Sequence, residues 1–298
     1  MPTKQTPQQK VWAELYERFD PEKPAFKKEW RVERKYSPAQ EISAALARPI
    51  GGPKRFMVLG GIGSGKSTEL YGIAERRAEA EPVVFVDLVE HFDQRVGDLP
   101  ALEQVQAWEV LLLVGLALYA AGEEAFGHKW SKDLRKRFDD VGQEFVEDDD
   151  DKPTFDAAKL ASVVATMAGG AVGGLLGGPL GVAAGAGLVG IGQAGGALQW
   201  RFKIGVRGRA ERSDQEPRVQ RLLAVVNSFI ADLQSSYSCR LTIFVDGLDR
   251  IREVERARAL FINSGLLGQV GCDIVVTGPS FCTGSRCAST SGSSILIF

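Results

Sequence analysis

The sequence predicts an α/β domain built on a largely parallel sheet. Two observations carry that expectation. Apolar, strand-like runs alternate with helix-like segments along the chain, and a glycine-rich loop joins the first of these strands to a helix. Composition agrees: 44% hydrophobic and 25% charged residues are ordinary for a globular protein. At 298 residues, the chain has room for one large domain or two small ones.

The elements follow in order. Val11, Trp12, Leu15 and Phe19 stand at helical spacing in residues 7–19, and a Pro- and Lys-rich connector covers 21–35. Ser37 and Pro38 suit the N-cap and first position of a second helix ending near Ala47. A turn at 49–53 leads to a short apolar strand at 55–59. Residues 67–80 read as a helix and 83–88 as a buried strand. From 99 to 119 the pattern is helical. Its apolar stretch 110–119 is too short to span a bilayer and reads as a core helix. A polar helix is expected over 129–145 and an acidic linker over 147–152. Further on come a helix at 217–233, a strand at 241–245, a helix at 253–262 and a strand at 273–277. The chain therefore divides into an N-terminal helical segment and linker (1–50), the first part of the α/β domain (51–146) and an acidic linker with a glycine-rich apolar insert (147–200). The second part of the domain (201–279) and an irregular tail (280–298) complete it.

Charge and cysteine content exclude several classes. A net charge of −2 gives no long-range field for nucleic acid or an anionic membrane. Locally, an acidic run covers 147–151, and Arg201, Lys203, Arg207, Arg209 and Arg212 form a basic one. Four cysteines in a chain this long are no disulfide framework, and with only His91 and His128 available a His/Cys zinc site is disfavoured. The polar N-terminus lacks the apolar core of a secretory signal, so a cytoplasmic location is expected.

The loop Gly60-Gly61-Ile62-Gly63-Ser64-Gly65-Lys66-Ser67-Thr68 matches the phosphate-loop pattern G-x-x-x-x-G-K-[ST]. Each position answers a physical demand. Glycines allow positive φ and bring backbone N–H groups against phosphate oxygens. The following helix points its positive dipole end at the same anion. Lys66 then reaches the β- and γ-phosphates, and the Ser67 hydroxyl ligates Mg²⁺. The context is the required one, a strand before the loop and a helix after it. The expected ligands are a nucleoside triphosphate, ATP with GTP left open, and Mg²⁺. The expected fold is thus a P-loop NTPase three-layer α/β fold with a mostly parallel sheet.

A second motif supports the first. Leu241-Thr242-Ile243-Phe244-Val245-Asp246 is an apolar strand ending in an aspartate, the form of a Walker B motif whose Asp holds Mg²⁺ near the loop Ser/Thr. Gly247-Leu248-Asp249-Arg250 adds another carboxylate three residues on. GGIGSGKST followed by IFVDGLDR resembles the STAND class of signalling P-loop ATPases, including the NACHT type with its D-G-x-D-E signature. It is also similar to the KAP class, whose second motif reads D-D-x-D-R. The resemblance covers two short motifs. It implies that Asp246 assists Mg²⁺ and that Asp249 positions or activates the attacking water. Two departures matter: Arg250 replaces an acid of the NACHT type, and Gly247 replaces the Glu that directly follows Asp in many fast ATPases. A slow switch that holds its nucleotide, within a signalling or defence assembly or a homo-oligomer, fits better than rapid turnover. In such domains a polar residue on the next strand senses the γ-phosphate. Thr277 is the candidate here, with an ordinary strand-end threonine as the equal alternative. Asp87 closes the strand VVFVD and reads as structural. STAND-like proteins continue with a further module, so a C-terminally truncated chain is expected, and no arginine finger is assigned to Arg250 or Arg252.

Between the motifs, residues 160–200 carry no charge and place Gly169, Gly173, Gly177, Gly181 and Gly185 at four-residue steps. Such spacing puts glycines on one helix face, as in membrane helix pairs. With a break at Gly177-Gly178-Pro179, the segment predicts an inserted glycine-rich helical hairpin of two legs, 160–176 and 180–199, near membrane-spanning length. Lys159 and the basic run after Trp200 would stay cytoplasmic, and KAP-like proteins carry such hairpins inside the ATPase domain. A soluble glycine-rich insert packed on the domain is the competing reading. A nucleotide-binding scaffold without turnover is a further alternative, while a P-loop small-molecule kinase and a nucleic-acid motor are weaker readings. No basic stripe interleaved with aromatics supports the motor.

Overall fold

The computed structural model describes residues 6–18, 31, 37–49, 51–146, 154–162, 164, 166–169, 189–191, 213–214, 216–280 and 295–297. Its strands are β1 (Arg55–Gly60), β2 (Val83–Asp87), β3 (Thr166–Gly169), β4 (Val189–Ile191), β5 (Thr242–Asp246), β6 (Asp273–Pro279) and β7 (Ile295–Ile297). The helices are α1 (Pro7–Arg18), α2 (Pro38–Ala47), α3 (Lys66–Ala78), the single turn α4 (Leu88–Glu90), α5 (Ala107–Ala120), α6 (Lys132–Val146), α7 (Ala157–Ala161), α8 (Pro217–Tyr237) and α9 (Val254–Arg258).

All seven strands form one sheet in the order β4-β3-β2-β5-β6-β1-β7. The run β2-β5-β6-β1-β7 is parallel, and β3 and β4 join antiparallel at the β2 edge. The expected α/β architecture with a mostly parallel sheet is therefore observed. Alternate residues of each strand point to opposite faces, and the core divides accordingly. Phe56, Val58, Val83, Phe85, Phe244 and Val275 face α2 and α3. Met57, Val84, Val86, Ile243, Val245, Ile274 and Val276 join the larger core that holds α5, α6 and α8. Helix α5 is buried on every side, as its almost wholly apolar sequence requires, and its one charged residue, Glu109, bonds to the backbone at the helix start.

Local chemistry sets the helix limits. Ser37 accepts a hydrogen bond from Ala39 N at the start of α2, and Pro38 follows as the first helical residue. The single helix expected over 99–119 is instead two pieces, a 3₁₀ stretch Leu99–Gln104 and then α5. Pro100 and the Asp98 side chain start the first piece. The second begins anew because Glu109 reaches back to accept from Gln106 N at 2.7 Å.

The insert departs from expectation. Where two helical legs were predicted over 160–199, Thr166–Gly169 and Val189–Ile191 are strands, paired with each other and, through β3, with β2. The physical reason lies at β2, whose outer edge would otherwise leave a row of backbone N–H and C=O groups unpaired. The break at 177–179, the acidic linker, the basic run at 201–212 and the connector over 21–30 and 32–35 lie outside the described residues. Among the described residues no helix is long and apolar enough to cross a membrane. The tail expected to be irregular contributes Ile295–Ile297 as a parallel partner of β1.

Candidate functional site

Ligands of open parallel sheets bind beyond the carboxyl ends of the strands, where neighbouring connections diverge. Here β1 runs into the glycine-rich loop, and the next strand in the chain, β2, lies three places away across β6 and β5. The carboxyl ends of β1, β6, β5 and β2 thus bring Gly60, Thr277, Asp246 and Asp87 to one rim.

The loop takes the conformation its glycines permit. Gly63 (φ +77°) and Gly65 (φ +91°) occupy the left-handed region, and Gly65 leads directly into α3. A Cβ at Gly60 would come within 2.5 Å of Ser64 Oγ, so a side chain there would push the Ser64 hydroxyl out of its place. Residues 61–64 are exposed, whereas Lys66 at the base is 6% exposed. Its Nζ donates to Gly60 O at 3.0 Å and Gly61 O at 2.8 Å, and pairs with Asp249 Oδ2 at 2.8 Å.

Asp246, 3% exposed, sits at the end of β5. The Ser67 side chain hydrogen-bonds to its carboxylate, and Gly247 N donates to its Oδ1 at 2.8 Å. Burial, then the neighbouring charge of Asp87, pushes Asp246 up to about 7, against the lowering influence of the Ser67 and Gly247 bonds. Asp87 is its register partner on β2. Burial likewise raises Asp87, although its carboxylate accepts from Glu90 N at 2.9 Å and from the Tyr71 hydroxyl at 3.4 Å. Burial above all keeps the Tyr71 phenol protonated well beyond its ordinary range.

The predicted residues Gly60 through Ser67, Asp246 and Asp249 are thus gathered at one rim. Thr68, the next residue of α3, is half-buried. The Thr277 hydroxyl is fully buried and accepts from Gly247 N at 2.9 Å, so it braces the backbone after Asp246. Arg252 lies apart, paired with Glu103 at 3.5 Å. Asp87 reads from the sequence as a structural strand end, and here its carboxylate caps the single turn α4 by accepting from Glu90 N while lying beside Asp246. Tyr71 is four residues beyond Ser67 on one face of α3.

The loop offers backbone donors and a buried ammonium to an anion, and Ser67 with Asp246 offers a hard cation two oxygens. Mg²⁺ sites in general use few protein oxygens together with phosphates and water. Among the described residues no group of three or more His, Cys, Asp or Glu side chains is arranged to hold a metal ion. No protein-family model matches the chain, and no curated protein and no solved structure shows significant similarity to it.

Proposed function

We propose that the chain is a P-loop nucleoside triphosphatase that binds ATP or GTP with Mg²⁺ at the loop 60–68 and turns it over slowly. One observation carries the reading: the Ser67 side chain, at the start of α3, is hydrogen-bonded to Asp246, at the end of a strand two places away in the sheet. These are the two oxygens a loop-bound Mg²⁺ requires, and they come from the two motifs in which the sequence places them. The positive-φ glycines and the buried Lys66 support the anion half of the same site.

Within this reading Lys66 binds the β- and γ-phosphates, Ser67 and Asp246 hold the metal, and Asp249 supplies the carboxylate that orients water. The metal withdraws charge from the phosphates. Slow turnover follows from Gly247, which places no carboxylate directly after Asp246. Binding without turnover is the second reading, favoured by the same glycine. The test is titration of a fluorescent ATP analogue, with and without Mg²⁺, alongside phosphate release under the same conditions. Mg²⁺-dependent binding with slow phosphate release is expected. Binding that ignores Mg²⁺ would remove Asp246 and Ser67 from their assigned role, and absence of phosphate release would select the second reading.

A further inference from the structure

We infer that Asp249 sets the nucleotide affinity of this site by competing with the terminal phosphates for Lys66. The inference rests on the nucleotide reading above. A lysine ammonium has three N–H donors and no acceptor. Here three oxygens lie within bonding distance of it: Gly60 O, Gly61 O and Asp249 Oδ2, at 3.0, 2.8 and 2.8 Å. Two of them are neutral carbonyls of the loop itself. The third is a full negative charge carried by a different element, the 3₁₀ turn Leu248–Arg250.

Both partners of the ion pair are shielded, with side chains 5% and 13% exposed, so the attraction is screened far less than a surface pair. A phosphate oxygen that reaches Lys66 must take over one donor. The loop carbonyls move with the loop that receives the phosphate, so the contact that gives way is the one to Asp249. Binding then exchanges one anion for another at the ammonium, and the displaced carboxylate is left close to the incoming negative charge. Both effects weaken the ligand. The same exchange frees Asp249 for water only after the phosphate is seated, which links its role in turnover to occupancy.

The consequence runs opposite to ordinary damage at a binding site. On the full chain with Mg²⁺ and a fluorescent ATP analogue, Asp249→Asn and Asp249→Ala should bind about tenfold more tightly than wild type. Asp249→Glu keeps the competing charge and should stay near wild type. Pyrophosphate, used as a competitor, should gain by the same factor, whereas adenosine should gain nothing. Misfolding weakens binding, so tightening cannot arise from it. Equal or weaker binding in both the Asn and Ala variants, an equal gain for adenosine, or a Glu variant as tight as Asn overturns the inference while leaving the nucleotide reading intact. Failure of every form, wild type included, to bind the analogue removes both.

Discussion

The two faces of the sheet divide the work unequally. Beneath α5, α6 and α8 lies a broad core with stacked and edge-on aromatic rings: Trp108 on Phe145 at 4.7 Å, and Phe229 against Trp130 and Phe138 at 4.6 and 5.1 Å. Beneath α2 and α3 the core is small, with Tyr71, Phe85 and Phe244 stacked in a row. Yet the face with less apolar contact supports the loop, Lys66 and Ser67, and it tolerates buried carboxylates at its rim. A thick face holds most of the apolar core while a thin one keeps polar groups at the rim.

That division can be broken at either end. Phe229→Ala removes a fully buried ring from the thick face and should destabilise the protein by about 3–5 kcal/mol. Chemical denaturation measures this, and the affinity of the molecules still folded for the ATP analogue should not change. Lys66→Ala should do the reverse. It should weaken analogue binding by roughly 100-fold, about 2.7 kcal/mol, at a smaller stability cost than Phe229→Ala, since it leaves only the Asp249 carboxylate and two loop carbonyls without their partner. A stability loss as large as that of Phe229→Ala would mean that the loop belongs to the core after all.

Asp246→Asn probes the rim, and its sign depends on pH. Asp246 titrates near 7 in the folded chain against an ordinary 3.8. Between those values the native state holds a proton that the unfolded chain has released. The wild type therefore loses stability as pH rises through this window, and the loss is complete above it. Melting curves at pH 5 and pH 8 should show the Asn variant gaining on wild type, by on the order of 1–2 kcal/mol. The same variant should lose the Mg²⁺ dependence of binding. No pH-dependent gain would mean that burial does not strain this carboxylate. The smallest effect is expected at Ser37→Ala. The Ser37 hydroxyl accepts from Ala39 N and donates to Glu69 at 2.5 Å, tying α2 to α3. Its loss should cost about 1 kcal/mol and leave binding untouched.

Much of this was legible in the sequence because it is local. Strand limits near Arg55, Val83, Thr242 and Asp273, the Ser37 cap, and the loop followed by a helix all follow from short-range rules. The insert was not legible, for a definite reason. Glycines four apart share one face of a helix, but four is also even, so they share one face of a strand as well. Spacing could not choose between the two, and the open edge of β2, which the sequence does not display, accepted Gly169, the first of the series, at the end of β3. The contact of Lys66 with Asp249 was hidden for another reason. A motif describes the groups around a bound phosphate and is silent on how they pair with one another without it.

Gly247 also limits how the site could be redesigned. Its φ is +97°, and a Cβ placed there would lie 3.0 Å from Val89 Cγ2 and 3.1 Å from Val89 N. On the proposed reading, an engineer seeking faster hydrolysis would first try a glutamate directly after Asp246. Any side chain there is strained by the positive φ, and its Cβ would crowd the turn that follows β2. A faster variant would have to rebuild that turn, or improve the carboxylate already present two residues further on at Asp249.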